Sequence, residues 1–384
     1  MTYTDPGPSR RLRLGMVGGG RGGNIGRSHR AAALLDGRWD VVAGALSRNP
    51  IAAAASAARW LIAPDRSYPD YRAMAEREAA REDRIDAVTI CTHNDTHHPI
   101  ARAFLDHGFH VVCDKPLTTS IENACDLVQA TRAAGRCFFV TYTYSGYPMV
   151  RLARDMIRVG ELGEIRSVAV EYASQYQTEL GDPGDWQNDP ARSGPLGVVA
   201  GTGTHAFHMA EFVTGLRVEQ LSADLASLVP GHRLEDHATM HLRFDNGARG
   251  YLWNTTIAPG NENGLSFRIH GSHGGLSWHQ EHPNHLRYVP LNGQPQILSR
   301  GGFKTSPSAD AVTRIPSGHP EGYLEAFANL YTEIADRLQA GEGHARAEIL
   351  CPTVEDGARG VAFMFAALES SQAESRFVHL ADIE

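Results

Sequence analysis

The sequence predicts two domains in tandem, an α/β domain built on a parallel sheet followed by an α+β domain with an open-faced, mostly antiparallel sheet. Three observations predict it. The 384 residues exceed what one core comfortably serves. The first third alternates short, continuous apolar runs with helical stretches, the pattern of parallel strands covered on both faces. After about Tyr147 the texture changes to longer strands separated by turn signals, with one face left free.

Taken in order, Arg11–Val17 reads as a strand and Ile25–Leu35 as a helix with apolar residues at helical spacing. Asp40–Leu46 (DVVAGAL) is the second strand, followed by an alanine-rich helix over Ile51–Leu61. Ile85–Thr92 (IDAVTICT) is the third strand, with a helix near Pro99–His107; His110–Cys113 is the fourth, with a helix over Ile121–Ala134. Cys137–Tyr142 is the fifth. A helix over Met149–Val159 then leads into strands at Ile165–Ala173, Val218–Leu228, His237–Phe244, Ala248–Thr256, Leu265–His270 and Gly275–Trp278. Asp245-Asn246-Gly247 between two of them is a hairpin signal. Gly181–Gly201 and Leu291–Pro320 read as long Gly/Pro-rich binding loops. Helices return at Tyr323–Leu338 and Val354–Leu368. The expected domains are 1–147 and 148–384, with the helix over 353–369 packing back on the first.

Composition narrows the function. A hydrophobic content of 42% and a charged content of 21% are those of a globular chain, and a net charge of −8 offers no basic footprint for nucleic acid. No stretch approaches the roughly 18 apolar residues of a membrane span. The N-terminus reads as a polar tail rather than a secretory signal. The five cysteines are odd in number and scattered, which argues for a reducing, cytoplasmic location.

The first strand runs into Gly18-Gly19-Gly20-Arg21-Gly22-Gly23-Asn24-Ile25-Gly26, and a helix opens at once. Glycines let the backbone turn tightly and approach a pyrophosphate, whose charge rests on the amides of the helix N-terminus. This strand–turn–helix context predicts a dinucleotide on a Rossmann domain, with Gly18, Gly20, Asn24 and Ile25 against it. At the end of the second strand, where an acid would hold the ribose of NAD, stand Ser47 and Arg48. They suit a 2′-phosphate, so NAD and NADP both remain open; otherwise Ser47 is a helix cap beside a solvated arginine.

The fourth strand ends in Asp114-Lys115-Pro116, where ligands bind in such sheets. Farther on, Gly201-Thr202-Gly203-Thr204-His205-Ala206-Phe207-His208 leads into a helix, and His205 and His208 would share its face. A histidine there can exchange a proton with an alcohol near neutral pH. Tyr142, Tyr144 and Tyr147 follow the fifth strand; Tyr144, and with less weight Trp186 in the long loop, are candidates to line the site by stacking on a sugar face.

These segments resemble the Gfo/Idh/MocA family of glucose–fructose oxidoreductase and inositol dehydrogenase. The glycine turn, Thr92–Asn94–His97, Asp114-Lys115-Pro116, Thr141–Pro148 (TYTYSGYP), Asp189–Gly194 (DPARSG), the Gly-x-His helix start and Tyr323–Leu330 (YLEAFANL) carry the resemblance along nearly the whole chain. It implies hydride exchange between a nicotinamide, NAD or NADP, and a secondary alcohol of a sugar, cyclitol or glycoside. Thr92, Asn94, His97, Asp114 and Lys115 would then lie along the cofactor, and Tyr144, Asp189, Gly201, Thr204 and His205 along the substrate. Lys115 would anchor the reacting hydroxyl and His205 would serve as acid/base. One position departs from the family: an aspartate is usual four residues before the histidine, and here Gly201 stands there. Either the histidine works without it, or a nearby group such as His208, Asp185 or Asp189 compensates, or oxidoreductase activity is lost or changed; the vacated volume would admit a bulkier glycoside. Relatives that hydrolyse glycosides through transient oxidation, and non-catalytic sensors, mark the alternatives.

His270, His273, His279, His282 and His285 lack paired helical spacing, so no metal is expected. The expected partners are a small sugar or polyol and further copies of the chain, as a homodimer or homotetramer, since the free sheet face leaves apolar area to bury.

Overall fold

The computed structural model describes residues 10–20, 23–181, 185–340 and 349–383. The N-terminal tail and residues 341–348 therefore lie outside the described residues, as do Arg21 and Gly22 of the glycine turn and residues 182–184 of the long loop.

The first domain follows β1 (Leu12–Gly18), α1 (Asn24–Leu35), β2 (Trp39–Ala45), α2 (Pro50–Trp60), α3 (Tyr71–Ala79), β3 (Ala87–Cys91), α4 (His97–Asp106), β4 (His110–Cys113), α5 (Ile121–Ala134) and β5 (Phe138–Val140). The five strands are parallel, in the order β2-β1-β3-β4-β5. Leu14, Ala87, Val88, Val111 and Val112 are fully buried, which is why the strands read as unbroken apolar runs. Helix α3 is not among the sequence expectations; its polar face and low apolar content hide it, although Asp70 caps it by accepting the Ala73 amide. Helix α5 is fully signposted, with Ser120 as N-cap and Gly135 left-handed at its end.

The second domain comprises α6 (Pro148–Arg158), β6 (Ile165–Ala173), α7 (Pro190–Ser193), α8 (Thr204–Thr214), β7 (Val218–Ala226), β8 (His237–Phe244), β9 (Arg249–Thr255), β10 (Gly264–Gly271), β11 (Gly274–His279), β12 (His285–Pro290), β13 (Gln296–Ser299), α9 (Pro307–Asp310), α10 (Tyr323–Gln339), α11 (Val354–Gln372) and β14 (Val378–His379). Its nine-stranded sheet runs β13-β12-β11-β10-β6-β9-β8-β7-β14. All pairs are antiparallel except β6 with β9. The expected loop over Leu291–Pro320 is corrected in part: β13 and α9 lie within it, and β12 precedes it. β12 and β13 alternate polar with apolar residues at the sheet's edge and bury only Leu286, Tyr288 and Leu298, so their periodicity is weak.

One face of this sheet, with Val168, Val170, Met240, Leu252 and Phe267, packs on α6 and α8. Among the described residues the other face is left uncovered and carries Tyr251, Trp253, His241 and Arg268. The two C-terminal helices return to the first domain. Helix α10 lies on α1, its Phe327, Leu330, Tyr331 and Ile334 joining Leu12, Leu14 and Trp39 in one core. Helix α11 sits between α5 and β7. The C-terminal end of the parallel sheet therefore faces the start of α8, where Lys115, just after β4, meets Gly201. Among the described residues no helix is long and apolar enough to cross a membrane.

Candidate active site

The glycine turn leaves β1 at Gly18, with φ +81; a Cβ there would lie 2.6 Å from the Cys91 carbonyl oxygen of β3. A Cβ on Gly20 would lie 2.6 Å from the Leu46 carbonyl oxygen, and one on Gly26 would run into Gly19 Cα. The turn is thus pressed onto the C-terminal ends of β2 and β3, and α1 is pressed onto the turn, which only hydrogen side chains permit. Among the described residues no side chain caps α1, and its first turn holds no acid, so its amides suit an anion. This cradle fits a dinucleotide pyrophosphate. Asn24 is exposed and accepts from Arg27 at 2.7 Å, whereas Ile25 packs inward against the core. At the end of β2 the capping residue is Asn49, not Ser47: Asn49 accepts the Ile51 and Ala52 amides, and Ser47 accepts the Asn49 amide at 3.2 Å. Arg48 is exposed beside it.

Beyond β3, half-buried Thr92 takes a hydrogen bond from Thr96 at 2.8 Å. Asn94 is buried and donates to the Ser193 carbonyl at 2.9 Å, tying the first domain to α7. His97 is fully buried, with Nδ1 2.8 Å from the Pro116 carbonyl and Nε2 3.3 Å from the Thr92 carbonyl. Both residues shape the cleft wall from behind rather than forming its surface. Asp114 accepts from the Lys115 amide at 2.9 Å and from the Thr141 hydroxyl at 3.0 Å, and the Lys115–Pro116 peptide is cis. These contacts aim Lys115 across the cleft, where Nζ donates to the Gly201 carbonyl at 2.5 Å. Burial pushes its amine below the usual 10.5, with Asp114 opposing.

The opposite wall begins with a π-helical turn, Val199–Gly203, that feeds α8; such turns recur at functional sites. Asn254 holds it, donating to the Thr202 hydroxyl at 2.8 Å and to the Tyr172 carbonyl at 3.0 Å, while its own Oδ1 is buried without a partner. His205 follows, 8% exposed, its Nδ1 also buried without a partner. Tyr144 meets its ring edge-on at 4.8 Å and Tyr142 at 5.7 Å. Burial, then the charges of Lys115 and His208, hold His205 well below the ordinary 6.5, so it is neutral at pH 7. No carboxylate is among the groups acting on it.

His208 shares the helix face as its spacing predicts, stacking on Tyr142 at 4.5 Å; burial lowers it to about 4 although Asp356 opposes. Asp185 accepts the Gln187 amide at 3.1 Å, and Asp189 accepts the Ala191 amide at 3.2 Å with Arg192 and Arg233 each 3.8 Å away. Both aspartates are therefore engaged as helix caps. A Cβ on Gly201 would meet nothing within 4 Å. Thr204 is fully buried with its hydroxyl on the Ala200 carbonyl at 3.1 Å, which turns it into the helix and away from the cleft. Trp186 stacks on His93 at 4.9 Å across the two domains.

Sequence reasoning brings Lys115, Gly201, His205 and Tyr144 together here, and misses Tyr172, Asn254 and Asn263. Tyr144 and Tyr172 join hydroxyls at 2.5 Å, Tyr172 donates to Asn263 at 2.7 Å, and Asn263 donates to Tyr144 at 3.2 Å. Burial raises both phenols above 10.0, so they stay protonated. The available signal is a polar residue on an inward face: Asn254 shares its side of β9 with Leu252. Among the described residues no group of three or more His, Cys, Asp or Glu side chains converges as a metal site would.

Comparison with known proteins adds to this geometry. Residues 12–142 match a family model described as an oxidoreductase family with an NAD-binding Rossmann fold, and residues 150–277 match the GFO/IDH/MocA C-terminal domain. The uncharacterized oxidoreductase YfiI of Bacillus subtilis is 32% identical, covering 96% of this chain and 97% of that protein. Levoglucosan dehydrogenase of Pseudarthrobacter phenanthrenivorans is 27% identical over 95% of this chain and 97% of its own. The crystal structure of an inositol dehydrogenase homolog from Azotobacter vinelandii, complexed with NADH and myo-inositol, superposes with a TM-score of 0.92 at 36% identity, covering 97% of this chain and 98% of that one.

Proposed function

The chain belongs to the Gfo/Idh/MocA family of NAD-binding oxidoreductases, and from that premise we propose that it is a dehydrogenase acting on a secondary alcohol of a cyclic sugar, cyclitol or glycoside. The observation that carries the reading is the pairing of Lys115 Nζ, poised on the Gly201 carbonyl, with the buried, unpartnered His205 Nδ1. A carbinol hydroxyl that accepts from Lys115 Nζ would lie near the His205 imidazole, on which the Lys115 charge acts. Relatives that act on or bind levoglucosan and myo-inositol support a ring-shaped polyol as the substrate.

The nicotinamide, when bound, supplies the hydride acceptor. Lys115 donates to the carbinol oxygen, and its charge stabilises the alkoxide that develops as the carbon–hydrogen bond breaks. His205, neutral at working pH, offers a lone pair to the hydroxyl proton and returns it in the reverse direction. The linked hydroxyls of Tyr144 and Tyr172, with Asn263, keep the tyrosine ring fixed against His205. Open space at Gly201 supports a ring substituent there, which extends the reading from free polyols to glycosides. Ser47 and Arg48, with no acid beside them, support NADP as well as NAD. The uncovered sheet face with Tyr251 and Trp253 supports a homodimer or homotetramer; a monomer mass by size exclusion at micromolar concentration removes that part.

The test is a coenzyme-reduction screen of the purified protein against cyclitols, aldoses, anhydrosugars and their glycosides, with each nicotinamide. Turnover of at least one cyclic polyol is expected. Turnover confined to small free polyols removes the glycoside part of the reading, and none with any of them removes the whole.

A further inference from the structure

The π turn that carries Gly201 is clasped by a residue far along the chain, in the connection between β7 and β8. Glu235 is half-buried there, and its Oε1 accepts both the Gly197 amide at 2.7 Å and the Val199 amide at 3.0 Å. Its backbone carbonyl accepts the Val198 amide at 3.0 Å. Three successive amides leading into the turn, donors of the kind that a helix start leaves without partners, therefore end on one residue. A Cβ on Gly197 would lie 2.6 Å from the Glu235 carbonyl oxygen, so the approach is too close for a side chain. The connection is itself fixed: Asp236 is buried, accepts the Leu228 and Val229 amides, and stands 2.8 Å from His232 Nδ1.

The clasp reaches Lys115 through one further hydrogen bond. The Gly201 amide bonds the Gly197 carbonyl at 2.8 Å, and the Gly201 carbonyl holds Lys115 Nζ. With one of its three N–H bonds directed onto Gly201, the ammonium presents the others to a hydroxyl. A turn that shifts carries this acceptor with it, and misplacement of about an ångström costs on the order of a hundredfold in rate. Burial opposes the charge on Glu235, and a single oxygen takes both amides, an oxygen that glutamine also carries.

We infer that Glu235 is a positioning residue for the oxidation, holding the π turn so that the Gly201 carbonyl aims Lys115 at the substrate hydroxyl. The inference rests on the reading that Lys115 serves the reacting hydroxyl of a dehydrogenase.

The test compares Glu235→Ala, Glu235→Gln, Gly197→Ala, Lys115→Ala and Lys115→Ala/Glu235→Ala with the wild type. Each full-length protein is titrated with NADH and assayed with a cyclic polyol that the wild type oxidises. Glu235→Ala and Gly197→Ala are expected to lose about tenfold or more in kcat with NADH affinity kept. Glu235→Gln should retain kcat to within about threefold, since its amide oxygen replaces Oε1. Added to Lys115→Ala, Glu235→Ala should cost less than about threefold more, because the group that it aims is gone. Amide hydrogen exchange over residues 197–201, read by mass spectrometry, should rise in Glu235→Ala and not in Glu235→Gln. Wild-type kcat in Glu235→Ala, a glutamine variant as slow as the alanine one, or losses that multiply in full with Lys115→Ala would each overturn the inference. Loss of NADH binding in both Glu235→Ala and Gly197→Ala would overturn it too, because the contact then serves the fold and not the lysine. If the wild type oxidises no cyclic polyol, the dehydrogenase reading fails instead, and exchange alone judges the clasp: an unchanged rate in Glu235→Ala removes it.

Discussion

At the scale of single residues, the site turns on what is absent beside His205. Its imidazolium has burial and Lys115 against it and no carboxylate for it, so the base form persists well below pH 6.5. Replacing Gly201 with aspartate adds that carboxylate, and the position has room for the new Cβ. An opposite charge raises a histidine pKa, so the acid limb of kcat/KM should move upward in pH by about one unit or more. A profile that stays where the wild type has it would show that the residue at 201 does not act on His205. Lys115 and His205 were legible in the sequence because their neighbours form recognisable motifs. Asn254 and Asn263 were not, because each lies far along the chain from the residues it supports, and only the sheet's pairing brings them together.

Among the elements, the entry to α1 and the return of α10 decide whether the coenzyme site exists. Gly26 touches Gly19 where no side chain fits, so Gly26→Ala must lift the helix from the turn. Overpacking of that kind costs about 1–3 kcal/mol, and here it falls on the phosphate cradle. NADH affinity should drop by more than tenfold with a modest loss of stability; unchanged affinity would place the phosphates elsewhere. Helix α10 reaches into the first domain through Tyr331, whose hydroxyl lies 2.7 Å from His29 Nδ1 and 2.9 Å from Thr89 Oγ1. Tyr331→Phe leaves a buried histidine without any hydrogen bond and should cost about 1–3 kcal/mol in urea unfolding. A loss within experimental error would mean that the helix is held by its apolar face alone. The strands and longer helices of both domains were readable from their periodicity. The C-terminal return of α10 was not, since an amphipathic helix announces that it packs but not on what.

At the scale of the whole molecule, buried neutral histidines couple stability to pH. His29 is fully buried and burial lowers it to about 4 from an unfolded value near 6.5. The unfolded chain therefore binds more protons between those values, and stability is complete above pH 6.5 and falls as pH drops toward 4. The linkage amounts to about 3 kcal/mol for His29. His110 and His208, also lowered to about 4 chiefly by burial, act in the same direction. Urea midpoints should fall steadily between pH 7 and 4.5; a flat profile would mean that these rings are solvated in the folded state. The two-domain plan itself was legible from the change of texture at Tyr147, and the cleft follows from it. The polar surroundings of His205 were not legible, because Tyr172, Asn254 and the π turn come from β6, β9 and the start of α8, and Asn263 from just before β10. The claim on which everything depends is that a nicotinamide on the glycine turn is served by Lys115. Its most direct test is NAD+ reduction by the wild type and by Lys115→Ala, each shown to bind NADH, against a cyclic polyol that the wild type oxidises. The account predicts a fall in kcat of about a hundredfold or more in the variant with NADH binding retained; equal turnover in the two proteins would contradict it.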